Sequence, residues 1–488
     1  MKKIIIGLFM FVWLCFITAC SSRPHDVVEV NALPDIYPDY IGVTIPVEIA
    51  PLNFNMVDEG VSIVDVEIRG EKGGKLHTKG AFADFDTYGW HELLKRNHDG
   101  KLTVSVCAEK NGKWKKYRDF EIYVSPYPLK EWGLTYRRVA PGYQMYGHMG
   151  IYQRNLSTFE ETAILDNRHI DGGCVNCHTV NRGKIDEVIL HVRSEHGATV
   201  VGCQGRTNLL ASVNDSLGGA MVYPYWHPQG RFVAFSTNKT SQLFHSGLNK
   251  RIEVFDGQSD VFVYDTETHT TLRDTLIMKK YWAENCPAFS PDGKWLYFTT
   301  AKRQNYPQDY DKEKYSLCRV SFDERTGKIG NSVDTLVNAN NTGKSVTWPR
   351  PSYDGRYVMF TQLDYGYFSI WHPESDLWLL DLHNSETRSI EEVNSNSSES
   401  LHNWSSNSHW FFFTSRRDDG LYTQVYFASI DEHGKATKPF LMPQHNPKRY
   451  YHRSLYSFNT PDFISSPIKA NSKGLGRRLK KDSRITTR

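Results

Sequence analysis

The sequence predicts an all-β chain: a small N-terminal β-sandwich followed by a β-propeller of five or six blades. Three observations carry this. Aromatic residues make up 13% of the 488 residues, with 27 Tyr and 25 Phe, and aromatic and β-branched side chains favour strands. Short alternating runs separated by turn residues recur from residue 42 onward. Finally, a Ser-Pro-Asp-Gly-type turn followed by an apolar strand repeats about every 50 to 60 residues, the spacing of four-stranded propeller blades.

Residues 1–19 read as an export signal. Lys2-Lys3 precede an apolar run from Ile4 to Ile17 that is short for a membrane span. Thr18-Ala19-Cys20-Ser21 follows and resembles a bacterial lipoprotein lipobox, with Ile17 where Leu is usual. The resemblance implies cleavage before Cys20, acylation of its thiol, and anchorage of the mature chain in a lipid bilayer of the cell envelope, the outer membrane before the inner. Several acyl chains hold far more firmly than one. An ordinary signal peptide with an incidental Cys20 is the alternative. Residues 20–41, with Pro24, Pro34 and Pro38, read as a tether.

Residues 42–125 carry the sandwich, of immunoglobulin or fibronectin type. Val64, Val66 and Ile68 face one way and Asp65 and Glu67 the other, and the runs Leu102–Val106 and Phe120–Val124 are further strands. Trp90–Lys95 suits one or two helical turns. Residues 126–184 read as irregular, broken by Pro126, Pro128 and Pro141, with a short helix over Leu156–Asp166.

That segment holds the pentad Cys174-Val175-Asn176-Cys177-His178. In a C-x-x-C-H pattern two thiols form thioethers to the vinyl groups of a haem and the histidine ligates the iron. The expectation is one covalent c-type haem, with His178 proximal. Gly172-Gly173 would let the backbone approach the flat macrocycle. Met145, His148, Met149, His169, His191 and His196 are available for the opposite side of the iron. His191 is preferred, because its strand folds back over the site. A rival spacing joins Cys174 and Cys177 to His191 and His196 as C-x2-C-x13-H-x4-H, a zinc-like pattern, here on a hairpin and not a helix. A thioredoxin-type pair needs a helix N-terminus in a βαβ setting, which the pattern around Cys174 lacks. A structural pair of buried thiols is the plain alternative.

The propeller is assigned to residues 185–464. The repeat reads Tyr225–Ser236, Ala288–Thr299 and Arg350–Thr361, with a degenerate copy at Asn403–Thr414. Its glycine supplies the positive φ of a tight hairpin. Val188–Arg193 and Ala198–Val201 would open the first blade, and Ser454–Phe458 would complete the last. These repeats resemble the WD-like repeats of TolB-type six-bladed propellers. The layout resembles a group of Bacteroidetes lipoproteins described as TolB-like or cytochrome c-like. Thr44–Phe54, Ile151–Leu156 and the pentad carry that likeness. It implies the architecture and the haem, and little about activity.

Residues 465–488 are basic and read as a disordered tail. Cys107, Cys203, Cys286 and Cys318 are scattered and form no compact disulfide framework. A net charge of +3 implies no nucleic-acid partner. Neither G-x-S-x-G nor H-E-x-x-H occurs, and Gly343-Lys344-Ser345 lacks the first glycine of a phosphate loop, Asn338 standing there, so an electron carrier or binding protein is expected over an enzyme. Two readings follow: an anchored monohaem cytochrome passing single electrons to an unidentified redox or envelope protein, or a propeller docking module for an envelope protein, peptide or glycan with a structural pentad. The first is the expectation, as the more specific chemical claim, and the second is the alternative.

Overall fold

The computed structural model describes residues 24–140, 147–211, 213–214, 219–246 and 250–487. The signal segment with Cys20, and Met145, lie outside the described residues.

In the N-terminal unit, strands Ile63–Gly70, Lys75–Gly80, Gly100–Lys110, Lys113–Lys116 and Phe120–Val124 pair antiparallel, and the short strands Val28–Glu29 and Thr44–Ile45 join in parallel. Val64, Val66 and Ile68 are buried, as their alternation requires. The second layer is not a full sheet. It consists of helix Thr87–Arg96 and a ribbon of Ile36–Tyr37 with Asn55–Met56. Pro38, Pro46 and Pro51 interrupt strand pairing over that stretch. Asp86 caps the helix by accepting from Gly89 N at 2.6 Å, and Lys95 and Arg96 lie in its last turn. Trp90, wholly buried, donates from its indole to Ile49 O at 3.0 Å.

The remaining strands form six sheets of four main strands each. Blade 1 combines Gly133–Val139, Met149–Asn155 and Glu161–Asp166 with the C-terminal strand Ser457–Ile464 on its inner edge. Blades 2 to 6 begin with inner strands Cys174–Asn181, Gly219–Trp226, Trp282–Phe289, Ser345–Pro351 and Glu399–Trp404. Inner strands abut in this order, and Ser457–Ile464 touches both Glu399–Trp404 and Cys174–Asn181, which closes the ring. The body of the chain is a six-bladed β-propeller.

Three boundaries differ from the sequence reading. The propeller starts at Gly133, not at residue 185, so residues 126–184 are mostly blade and not irregular. The helix expected over Leu156–Asp166 is the strand Glu161–Asp166. Residues Met149–Arg154 are buried on both faces, so they show no alternation to read. Nor is the end of the tail unstructured. Asn471 caps helix Ser472–Lys481, Leu479 is buried, and Ile485 exchanges backbone bonds with Leu209 and Ala211 at the edge of blade 2. Leu475 and Leu479 stand one helical turn apart among the basic residues, which gives this segment an apolar stripe.

The repeated turn explains its own sequence. Gly230, Gly293 and Gly355 have φ of 83°, 73° and 76°. In blades 4 and 5 the serine hydroxyl donates to Asp292 or Asp354 at 2.5 Å and accepts the backbone N–H of Trp295 or Tyr357. Blade 6 keeps this with Ser405, Asn407 and Trp410, and Ser408 takes the positive φ in place of glycine. The N-terminal unit packs on blade 6. Trp410 Nε1 donates to Tyr127 O at 2.9 Å, and the Tyr127 and His409 rings stack at 3.7 Å.

Candidate functional site

Each inner strand carries one residue in left-handed conformation at the same place: Thr460, Cys177, Tyr223, Cys286, Trp348 and Leu401, with φ between 44° and 54°. At each, the ladder skips, so every inner strand carries a bulge. The next residue is Pro461, His178, Pro224, Pro287, Pro349 and His402. Proline is at home where the ladder needs no N–H. The Cys-His of the pentad is thus the copy, in blade 2, of a ring of bulges around the central channel.

The channel wall at this level includes Cys177, His178, Tyr225, Arg350, His402 and Asp462. Asp462 is the closing latch. It accepts from Val180 N at 2.8 Å and Thr179 Oγ1 at 3.1 Å in blade 2, and from Asn403 Nδ2 at 3.0 Å in blade 6. Burial pushes its carboxyl up to about 6.

His178 is buried, and its Nε2 lies 3.0 Å from Thr135 Oγ1. The Thr135 hydroxyl also lies 3.4 Å from Asp462 O, and His178 Nδ1 is buried without a partner. Burial pushes this imidazole down to about 3. Cys174 is not among the residues lining the void beside Cys177 and His178. Arg137 Nη2 reaches its Sγ and Met149 Sδ, each at 3.3 Å, while Arg137 Nε donates to Val175 O.

These residues, as arranged, do not fit a haem held by both sulfurs. Cys177 borders the channel and Cys174 does not. The void beside Cys177 and His178 is about 40 Å³, room for about three waters, whereas pockets for larger organic ligands run to roughly 300–1,000 Å³.

Nor do the other expected ligands converge. His191 is buried on the neighbouring strand opposite Asn176, with Nδ1 2.9 Å from Thr199 Oγ1, and it does not line the cavity. His148 pairs with Asp166, and His169 with Ser472. Among the described residues, no three His, Cys, Asp or Glu side chains are grouped to hold a metal ion, so the zinc-like spacing is not realised. The histidine that does share the cavity with His178 is His402, with both ring nitrogens unpartnered. The sequence signal for it was its place immediately before the degenerate repeat that begins at Asn403.

A strap runs from blade 3 onto blades 4 and 5. Strands Phe232–Phe244 and Ile252–Asp265 of blade 3 run well past the blade as a hairpin. Its Phe255 stacks on Tyr306 of blade 4 at 4.7 Å. Its Glu253 accepts from Tyr365 Oη at 2.7 Å and lies 3.2 Å from His372 Nε2 in blade 5, and Lys250 pairs with Glu374 at 2.6 Å. Burial alone would lower His372, but Glu253 and Glu374 hold its imidazole above the usual range. Val254 packs with Cys286, Trp348 and Leu401 of the bulge ring.

No known family description matches the chain. A dipeptidyl-peptidase 5 of Porphyromonas endodontalis is 32% identical over 82 residues, 17% of this chain. The match spans only 10% of that peptidase's length. Among solved structures, the β-propeller domain of the Trilobed protease from Pyrococcus furiosus aligns over 69% of this chain and 81% of its own, at 9% identity and a TM-score of 0.34. A protein of unknown function from Bacteroides thetaiotaomicron aligns over 86% and 100%, at 8% identity and a TM-score of 0.35. A prolyl endopeptidase aligns over 56% of this chain and 36% of its own, at 14% identity and a TM-score of 0.36. The six-bladed assignment rests on the strand pairings themselves.

Proposed function

We propose that this chain is a lipid-anchored, extracytoplasmic propeller of TolB-like kind that works as a binding module for an envelope protein, peptide or glycan, and that its C-x-x-C-H pentad is structural. One observation carries the reading: Cys177-His178 stands where other blades place Tyr-Pro, Cys-Pro, Trp-Pro, Leu-His and Thr-Pro. That the same bulge is made with each of these pairs supports a structural role for Cys177-His178. The strap adds a second support, because it makes one face of an otherwise repetitive ring unlike the other, and propeller loops are where recognition concentrates.

The deciding experiment is a pyridine haemochrome spectrum on protein produced with an active c-type maturation system. The reading expects no covalent haem, and a Cys174→Ser/Cys177→Ser double variant that keeps the cooperative melt. A c-type spectrum lost in that variant would overturn it in favour of the electron carrier. Anchorage is tested separately: phase partitioning into detergent should depend on Cys20, and Cys20→Ala should release the chain to the aqueous phase.

A further inference from the structure

The strap ends over a pocket that none of the channel chemistry uses. Its walls are Arg251 from the strap, Trp371 from blade 5, and Asn396, Ser397, Arg416 and Asp419 from blade 6, around about 250 Å³.

Arg416 is the unusual member. It is 4% exposed, its guanidinium carbon lies over the Trp371 ring at 3.2 Å from the centroid, and it donates to Leu421 O. Its Nε is buried with no acceptor, and it forms no ion pair among the described residues. The neighbouring Arg417, by contrast, pairs with Glu399 at 2.9 Å. Burial pushes Arg416 down to about 9, Asp419 opposes that and Arg251 adds to it. Arg251 is exposed and also has no ion pair among the described residues. The one carboxylate present, Asp419, has its Oδ1 taken by the backbone N–H groups of Leu421 and Tyr422 at 2.7 and 2.9 Å. Among the described residues, the side chains of Asn396 and Ser397 have no hydrogen-bond partner.

A buried guanidinium without a counter-charge is costly. Two guanidinium groups against one carboxylate leave the pocket with about one positive charge to neutralise. That balance suits a monoanion better than a dianion, and a flat carboxylate matches the planar fork of arginine. We infer that Arg416 and Arg251 form a binding site for the carboxylate of a small ligand, with Asn396 and Ser397 available to its neighbouring polar atoms. This deepens the binding-module reading and rests on it.

The test is a thermal shift and calorimetric titration of the full chain with two carboxylates, glucuronate and N-acetyl-leucine, each beside its uncharged counterpart, glucose and N-acetyl-leucinamide, and with inorganic phosphate. At least one carboxylate should bind at millimolar concentration or below, its uncharged counterpart should not, and phosphate should bind more weakly. Which carboxylate binds separates a sugar acid from a peptide C-terminus. Arg251→Gln, at an exposed position, should keep the melting profile and weaken binding roughly tenfold. Arg416→Lys should weaken it further. No response to either carboxylate, equal response to the neutral partners, or unchanged affinity in Arg251→Gln would overturn the assignment. None of these outcomes bears on haem, so the binding-module reading stands or falls separately on the haemochrome.

Discussion

Cys177 of blade 2 and Cys286 of blade 4 are the same structural residue. Each follows an asparagine, each has φ near 49°, at 48° and 49°, and each sits where its inner strand skips a rung. Asn176-Cys177-His178 and Asn285-Cys286-Pro287 differ in one respect, the residue after the bulge. Cys177-His178 is therefore one copy of a bulge made six times around the channel.

From this equivalence, His178→Pro should fold. The ladder does not pair Cys177 or His178, and four other blades carry proline here. The cost is the lost bond to Thr135 and some lost packing, about 2 kcal/mol together, read from urea denaturation. Failure to fold would mean that blade 2 is not built like its neighbours.

Asp462→Ala should cost more, about 3 kcal/mol, because it strands the buried Val180 N–H and two side-chain donors at the seam between the chain's ends. Hydrogen exchange should rise in Cys174–Asn181 and Ser457–Ile464 together. A change confined to one of them would argue against the latch.

Stability should depend on pH in opposite senses through two groups of buried residues. Glu284 is wholly buried, and that burial, with Asp260 adding to it, pushes its carboxyl up to about 8. The folded chain holds a proton that the unfolded chain releases, so this contribution is complete below the unfolded carboxyl range and is lost as pH rises towards about 8. Glu284→Gln should flatten the decline in melting temperature between about pH 5 and about pH 9. His178, His191 and His402 are each pushed down to about 3, first by burial. They bind protons only on unfolding, so their contribution is present above about pH 6.5 and is lost as pH falls towards about 3. His402→Phe should reduce the acid-side loss; an unchanged acid limb would contradict that assignment.

Glu253→Ala should loosen the strap without melting the ring. It removes one of the two carboxylates on buried His372, leaving Glu374, and the acceptor of Tyr365, with a local cost of about 2 kcal/mol. Faster exchange across residues 239–246 and 250–256, with the blade cores unchanged, is the expected result. Global destabilisation would instead make the strap part of the core.

The turns were legible because their chemistry is local: Gly230, Gly293 and Gly355 sit where a positive φ is needed. The first blade was not, since Met149–Arg154 is buried on both faces and its inner strand arrives from residues 457–464, a pairing no local pattern announces. The pentad was legible in two ways. Gly183 follows Cys177 by six residues as Gly293 follows Cys286 by seven, so the repeat could be read through it, but the stronger association of C-x-x-C-H with haem hid that. The Arg416 pocket was beyond sequence reasoning, because it assembles residues of blades 3, 5 and 6.

The intact mass of mature protein isolated from its native host, measured after denaturation, addresses the status of Cys174 and Cys177 most directly. The bulge account predicts the mass of the processed polypeptide with its acyl groups and nothing on either thiol. A mass increment of one haem, localised to the peptide spanning Cys174–His178, would contradict it.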